Sequence, residues 1–199
     1  MTAIDTSLCY TNSKRVIIAL KELLEADIME KTNEKTICFT GHRPQSLPFG
    51  SNEKDPRCVR LKEIIKTEVI HQITENNAVH FISGMAIGTD VICADIVLEL
   101  KKEYPHITLE CALPCENQSL KWRETDRDRY YSIIEHCDKE TLLQMQYTPD
   151  CMQKRNVYMA DSSDTIIAVW NGKPSGTGNT VKYAQSRGKE VIIINPAEL

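Results

Sequence analysis

Residues 78–102 read AVHFISGMAIGTDVICADIVLELKK. The first six, ending at Ser83, are short and almost wholly apolar, as a strand covered on both faces must be. Gly84 and Gly88 follow. They bracket a turn where the backbone can bend sharply and approach a ligand closely. After Asp90 the apolar residues recur at helical spacing. Strand, glycine turn and helix together make one βα unit.

The same alternation continues on both sides. Toward the N-terminus, 36–40 reads as a strand ending at Gly41, and 57–76 as a helix with Leu61, Ile65, Val69 and Ile73 on one face. Toward the C-terminus, strands are expected at 108–113, 141–145, 165–170 and 190–194, with helices at 120–136, 151–160 and 179–187. A Gly/Pro/Ser loop, 171–178, separates the fifth strand from the last helix. Repeated βα units predict an α/β, Rossmann-like three-layer sandwich with a mainly parallel sheet and right-handed crossovers.

Residues 1–34 stand outside this pattern. Thr11, Asn12 and Ser13 offer caps for an N-terminal accessory helix over about 14–30, with Ile17, Leu20, Leu24 and Ile28 as its apolar stripe. A polar linker follows. The expected organisation is therefore a helix and linker over 1–34 and one Rossmann-like domain over 35–199.

Composition narrows the function classes. The chain has 199 residues, 41% hydrophobic and 26% charged, a balance that suits a soluble globular domain. A net charge of −4 speaks against a broadly basic nucleic-acid surface. No apolar run approaches the ~20 residues of a membrane span, and the first eight residues lack the pattern of a secretory leader. A cytoplasmic protein with no membrane partner is expected. Eight cysteines are present, with no CxxC pair and no histidine at zinc-finger spacing from Cys111 and Cys115. They read as thiols, several of them packed like small hydrophobes, and no metal site is expected.

In a sheet of this kind ligands bind beyond the carboxyl ends of the strands. Three strand ends carry unusual loops. Gly41, His42, Arg43 and Pro44 follow the first strand. Arg43 offers a planar fork of donors to a phosphate or carboxylate, and His42 a donor or proton carrier near neutral pH. Ser83, Gly84, Met85, Gly88 and Asp90 form the second loop. It opens a helix whose free amides favour an anion, and Asp90 is placed to cap that helix or to hold a ribose hydroxyl. Ser175, Gly176, Thr177, Gly178 and Thr180 belong to the third, where small residues and hydroxyls can wrap a phosphate with backbone amides. Arg155 and Asn156 lie on the short helix before the fifth strand. Glu116 and Gln118 are polar groups expected at the pocket rim, and Trp122 reads as core.

Gly41-His42-Arg43-Pro44, then residues 82–90, Pro114 with Gln118 and Trp122, Arg155-Asn156 and the Gly176-Thr177 loop, taken in this order, resemble the YpsA-like family of the SLOG superfamily. That superfamily groups the DNA-processing proteins DprA/Smf with the LOG cytokinin-activating nucleotide hydrolases. The resemblance covers about residues 36–195. It implies a Rossmann-like fold and a pocket for a nucleotide or nucleotide-derived ligand. LOG enzymes carry a PGGxGTxxE loop whose glutamate serves the catalytic centre. Aligned on Gly176-Thr177, that glutamate position holds Thr180.

The leading expectation is therefore a nucleotide-binding protein, acting as a sensor, with no cofactor beyond a bound nucleotide. One alternative is N-glycosidic hydrolysis of a nucleotide, for which Asp90 and Glu116 are the candidate carboxylates. Another is single-stranded DNA binding in the manner of DprA. A homodimer is expected.

Overall fold

The computed structural model describes residues 33–199. The expected helix over 14–30 lies outside the described residues. Within Lys35–Leu199 six strands form one sheet: β1 (Lys35–Gly41), β2 (Ala78–Ser83), β3 (Thr108–Leu113), β4 (Lys139–Leu142), β5 (Thr165–Val169) and β6 (Glu190–Ile194). The order across the sheet is β4-β3-β2-β1-β5-β6, and every neighbouring pair is parallel. Five α-helices fill the crossovers: α1 (Pro56–Asn76), α2 (Thr89–Leu100), α3 (Glu124–His136), α4 (Cys151–Asp161) and α5 (Gly176–Ser186). The Rossmann-like parallel α/β sandwich read from the sequence is the fold observed.

Alternation along each strand sorts the core into two layers. Ile37, Phe39, Phe81, Leu109 and Val169 face α1, α2 and α3, whose Leu61, Ile65, Val97 and Tyr130 complete the larger layer. Cys38, Ile82, Ala112, Ile166 and Ala168 face the other way, onto Met159 and Ala160 of α4 and Val181 and Ala184 of α5. The seven described cysteines are free thiols, six of them buried. Among the described residues no helix is long and apolar enough to cross a membrane.

Three elements depart from the ranges read in the sequence by more than one residue, each for a local reason. The helix expected from residue 120 begins at Glu124. Arg123 is extended (φ −61°, ψ 151°), and Trp122 turns back to donate to the Ser119 carbonyl at 3.0 Å. The fourth strand sits at Lys139–Leu142 rather than 141–145. Its start is fixed by Asp138, whose backbone amide donates to the Leu109 carbonyl while its carboxylate accepts from the Leu109 amide. The last helix begins at Gly176, three residues early. Ser175 is its N-cap and its hydroxyl accepts from the Gly178 amide at 3.1 Å, which outweighs the poor helix propensity of two glycines.

The chain runs β1 to β4 outward on one side of β1, then crosses to β5 on the other side. The loops after β1 and β5 therefore diverge from adjacent strands in opposite directions, and a crevice opens between them at the carboxyl edge.

Candidate functional site

A cavity of about 350 Å³ occupies this crevice. Thr40, Gly41, His42 and Arg43 line it from the end of β1, and Ala86 and Asp90 from the second loop and α2. Met152, Arg155 and Asn156 come from α4, and Ser175, Gly176 and Thr177 from the start of α5. Residues more than a hundred positions apart in the chain thus meet around one volume.

His42 ties the two diverging strands together. It is 4% exposed. Its backbone amide donates to the Val169 carbonyl at 3.2 Å, and its Nε2 accepts from the Asn171 amide at 3.2 Å. An acceptor Nε2 requires the neutral ring to carry its proton on Nδ1. Its carbonyl accepts from both the amide and the hydroxyl of Thr89, which seats the amino end of α2 against the β1 loop. Arg43 is exposed, lines the cavity and makes no ion pair among the described residues.

The second loop is held by a buried ion pair. Arg155, 4% exposed, lies with Nη1 at 3.3 Å from Asp90 Oδ2 and also donates to the Gly84 carbonyl. The room for it exists because residue 84 has no side chain: a Cβ there would collide with the Arg155 guanidinium. Gly88 is the N-cap of α2 at φ +103°, a conformation that strains any residue with a Cβ. Asp90 therefore does not cap the helix. It sits in the first turn, where its carboxylate meets the positive end of α2 and accepts from the Ala86 amide at 3.4 Å. Burial pushes the Asp90 carboxyl above the ordinary carboxylate range, against the opposing pull of Arg155. Arg155 Nε is buried without a partner among the described residues. An orphaned buried donor costs about 1–3 kcal/mol.

Three amides of this loop are already occupied. That of Met85 donates to Ser83 Oγ, that of Ala86 to Asp90 and that of Thr89 to His42. Ser83 and Met85 are themselves fully buried. Residues Ser83, Gly84, Met85 and Gly88 build the wall from behind; none of the four lines the cavity.

The amino end of α5 is different. Gly178 and Asn179 donate to Ser175, while the amides of Gly176 and Thr177 have no partner among the described residues. Both residues line the cavity. Free amides at the positive end of a helix form an anion site. Asn156 Nδ2 donates to Thr180 Oγ1 at 2.9 Å, which fixes α4 against this first turn. Gly178 packs beside the Trp170 ring and Thr180 is buried; neither reaches the cavity.

Two sequence candidates do not come together. Asp90 is the one acidic side chain on the cavity wall among the described residues, and Glu116 is exposed and lies outside it. Thr40, Ser46 and Ala86, which the sequence reading did not single out, line it too, and so do Gln45 and Met152. Neither carries a motif; only their positions beside Arg43 and before Arg155 hint at the site. Among the described residues no three His, Cys, Asp or Glu side chains converge as metal ligands.

Beyond Arg43 and Met152 the cavity adjoins a second of about 290 Å³, walled also by Ile87, Gln118 and Trp122. Trp122 packs edge-on to Tyr130, with ring centroids 5.3 Å apart. A third hollow of about 300 Å³ shares Gln118 and Met152 and adds Leu120 and Tyr147. Leu120 and Tyr147 are both largely exposed.

Comparison with known proteins bears on the family and the fold. The model of the YpsA family, described as the YspA SLOG family, matches residues 37–199. The chain is 33% identical over 144 residues to the uncharacterized SPbeta prophage-derived protein YoqJ of Bacillus subtilis, covering 66% of this chain and 84% of that one. It is 30% identical over 172 residues to a UPF0398 protein of Brevibacillus brevis, covering 83% and 90%. Among solved structures, DNA processing protein A from Helicobacter pylori shares the fold with TM-score 0.55 and 18% identity, over 84% of this chain and 68% of that one. The corresponding protein of Streptococcus pneumoniae gives 0.53 and 15%, over 81% and 50%.

Proposed function

The chain belongs to the YpsA SLOG family, and on that footing we propose that it binds a nucleotide or nucleotide-derived small molecule in the cavity between β1 and β5. One observation carries this reading. Arg43, Arg155 and the free amides of Gly176 and Thr177 surround the same 350 Å³ volume, an arrangement of positive groups that suits a phosphate. The volume falls in the range, about 300–1,000 Å³, of small-molecule sites. Arg43 and the α5 amides hold the phosphate, and His42 offers its Nδ1–H as a neutral donor. Asp90 keeps Arg155 in place rather than holding the ribose itself. The binding protein acts as a sensor in the cytoplasm.

Base release is not part of the proposal. An N-glycosidic hydrolase needs a carboxylate free to stabilise positive charge or activate water. Asp90 is tied to Arg155 and Glu116 is off the cavity.

The test is thermal-shift and calorimetric titration with AMP, ADP, ATP, ADP-ribose, NAD and cyclic nucleotides. A ligand at about 100 times its dissociation constant stabilises the fold by about 2.7 kcal/mol. Binding of one nucleotide class that falls in Arg43→Ala supports the reading. A flat panel, or affinity untouched by Arg43→Ala, overturns the pocket assignment.

A second reading, single-stranded DNA, has its own observation. The three adjoining hollows form a trough along the carboxyl edge, with Trp122 and Tyr147 on its walls, and aromatic rings beside a trough suit stacked bases. The Helicobacter pylori neighbour binds single-stranded DNA. This reading predicts binding that weakens steeply with salt. Oligonucleotide affinity independent of salt, or absent, removes it.

A further inference from the structure

The sheet has two edge strands, β4 and β6, and they are finished differently. An edge strand offers a row of unpaired amides and carbonyls, which proteins commonly guard with short strands, charged side chains, bulges or proline. β4 is four residues long and opens on Lys139 and Glu140. β6 reads Glu190, Val191, Ile192, Ile193 and Ile194, pairs with β5 without a bulge and carries one charge, at its amino end. Val191 packs on the α4–α5 layer and Ile192 on the opposite one. Ile193 falls on the same face as Val191 and is 47% exposed.

The ladder with β5 shows which backbone groups of β6 are left over. The Trp170 amide donates to the Ile194 carbonyl. Successive residues of a strand point their amides and carbonyls to alternate sides, so Glu190, Ile192 and Ile194 face β5. The amides and carbonyls of Val191 and Ile193 face outward, where no strand lies among the described residues.

We propose that β6 is the interface of a homodimer, pairing antiparallel with β6 of a second copy about a two-fold axis at Ile192. The occupant is a second copy because this edge complements itself. With Ile192 on the axis, Val191 stands opposite Ile193 of the other copy, and Ile193 opposite its Val191. Each of these pairs exchanges two backbone hydrogen bonds, which satisfies all four outward groups of either copy. Valine then meets isoleucine on one face and Ile192 meets Ile192 on the other, apolar cross-strand pairs that stabilise a sheet. Glu190 falls opposite Ile194, so the two glutamates lie at opposite ends of the pairing. Other centres do worse. An axis at Val191 or Ile193 leaves one outward residue beyond the end of the opposing strand, and an axis at Glu190 sets two carboxylates face to face. The proposal stands apart from the nucleotide reading.

The test is sedimentation of the full chain. Wild-type protein at about 100 μM is expected to run as a dimer. Ile193→Lys puts two cations into the pairing and is expected to weaken dimerisation by about tenfold or more, with the urea midpoint as the check on its fold. Ile193→Pro removes an outward amide and no bond to β5; it is expected to act in the same way and serves if the lysine variant folds poorly. Ile192→Cys reports the register. Facing residues of a pair without hydrogen bonds stand about 4.5 Å apart at Cα, within reach of a disulfide. Oxidised glutathione is expected to link this variant into a reducible dimer and to leave the wild type unlinked.

A wild type that stays monomeric at about 100 μM overturns the proposal. If hydrogen exchange then shows the Val191 and Ile193 amides protected, the edge belongs to residues 1–32 of the same chain. A dimer that persists in both Ile193 variants overturns it as well and puts the interface elsewhere. A dimer broken by those variants but not linked through Ile192→Cys overturns the two-fold at Ile192.

Discussion

Two glycine-rich turns open helices at the same edge of the sheet, and they do opposite things. In the loop before α2 the amides of Met85, Ala86 and Thr89 all donate to protein atoms, and a buried Arg155–Asp90 pair locks the turn from behind. At the start of α5 the amides of Gly176 and Thr177 face a cavity with no protein partner among the described residues. Composition is alike in the two places. What differs is the buried counter-ion pair that backs the first turn, while the second lays its two open amides on the cavity wall. The first turn is scaffold; the second is where we propose that the anion binds. Glycine before a helix therefore marks close backbone approach, and the partner approached is this protein's own arginine in one case and solvent-filled space in the other.

The sharpest way to break this contrast is to attack the scaffold turn. Arg155→Ala leaves Asp90 buried without its counter-charge, and unfolding in urea is expected to show a loss of about 3–5 kcal/mol. Gly84→Val, which drives a side chain into the arginine's seat, is expected to fall in the same range. If either variant kept wild-type stability, the pair would not be holding the turn.

Next in size are two buried carboxylates that titrate in opposite senses. Glu110, 1% exposed, accepts from His80 and Lys139 at 2.9 Å and from Tyr158 at 2.7 Å. Burial alone would raise its carboxyl, but the hydrogen bonds from His80, Tyr158 and Lys139 pull it well below the ordinary range. A depressed folded value means stability present above about pH 4 and lost as pH falls through the folded value. Glu110→Gln is therefore expected to flatten the acid limb of a stability–pH curve and to lose about 1–3 kcal/mol at neutral pH. Asp90 is raised, so its contribution is complete below about pH 4 and declines as pH rises through the folded value. Asp90→Asn removes that decline and is expected to steepen the same limb. Slopes of the same sign in the two variants would contradict the contrast.

Smaller still is the open turn. Ser175→Ala removes the α5 cap and is expected to lower stability by about 1 kcal/mol while weakening nucleotide binding. Glu116→Gln, on an exposed residue off the cavity, is expected to change stability by less than about 0.5 kcal/mol and binding not at all.

Much of this was legible in the sequence. β2 and β3 match to the residue because burial on both faces leaves a continuous apolar signal; β6, an edge strand, matches too, on its own apolar run between Glu190 and the Asn195-Pro196 stop. The edge strand β4 does not. It is half exposed, and Asp138 rather than hydrophobicity fixes where it begins. The start of α3 was misplaced because residues 119–122 show helical spacing while forming a turn. In the site, Arg43 and Ser175 announce themselves beside glycines. The Arg155–Asp90 pair joins residues 65 positions apart, and its consequence, that Asp90 neither caps α2 nor stands free, depends on a contact between elements. Gln45 and Met152 have ordinary side chains, and only the folded crevice gathers them.

The pairing of β1 with β5 has a consequence in biosynthesis. Ile37 aligns with Thr165, and the Thr36 amide donates to the Asp164 carboxylate across 128 residues of chain. Strands so far apart must wait for the intervening polypeptide, and contacts of such separation slow folding. A chain emerging from the ribosome can build β1 through β4 and their helices as neighbours in sequence. Both walls of the crevice exist only when α5 has left the exit tunnel and β5 has docked. The cavity is thus completed late in synthesis, with only β6 and the C-terminal turn still to follow.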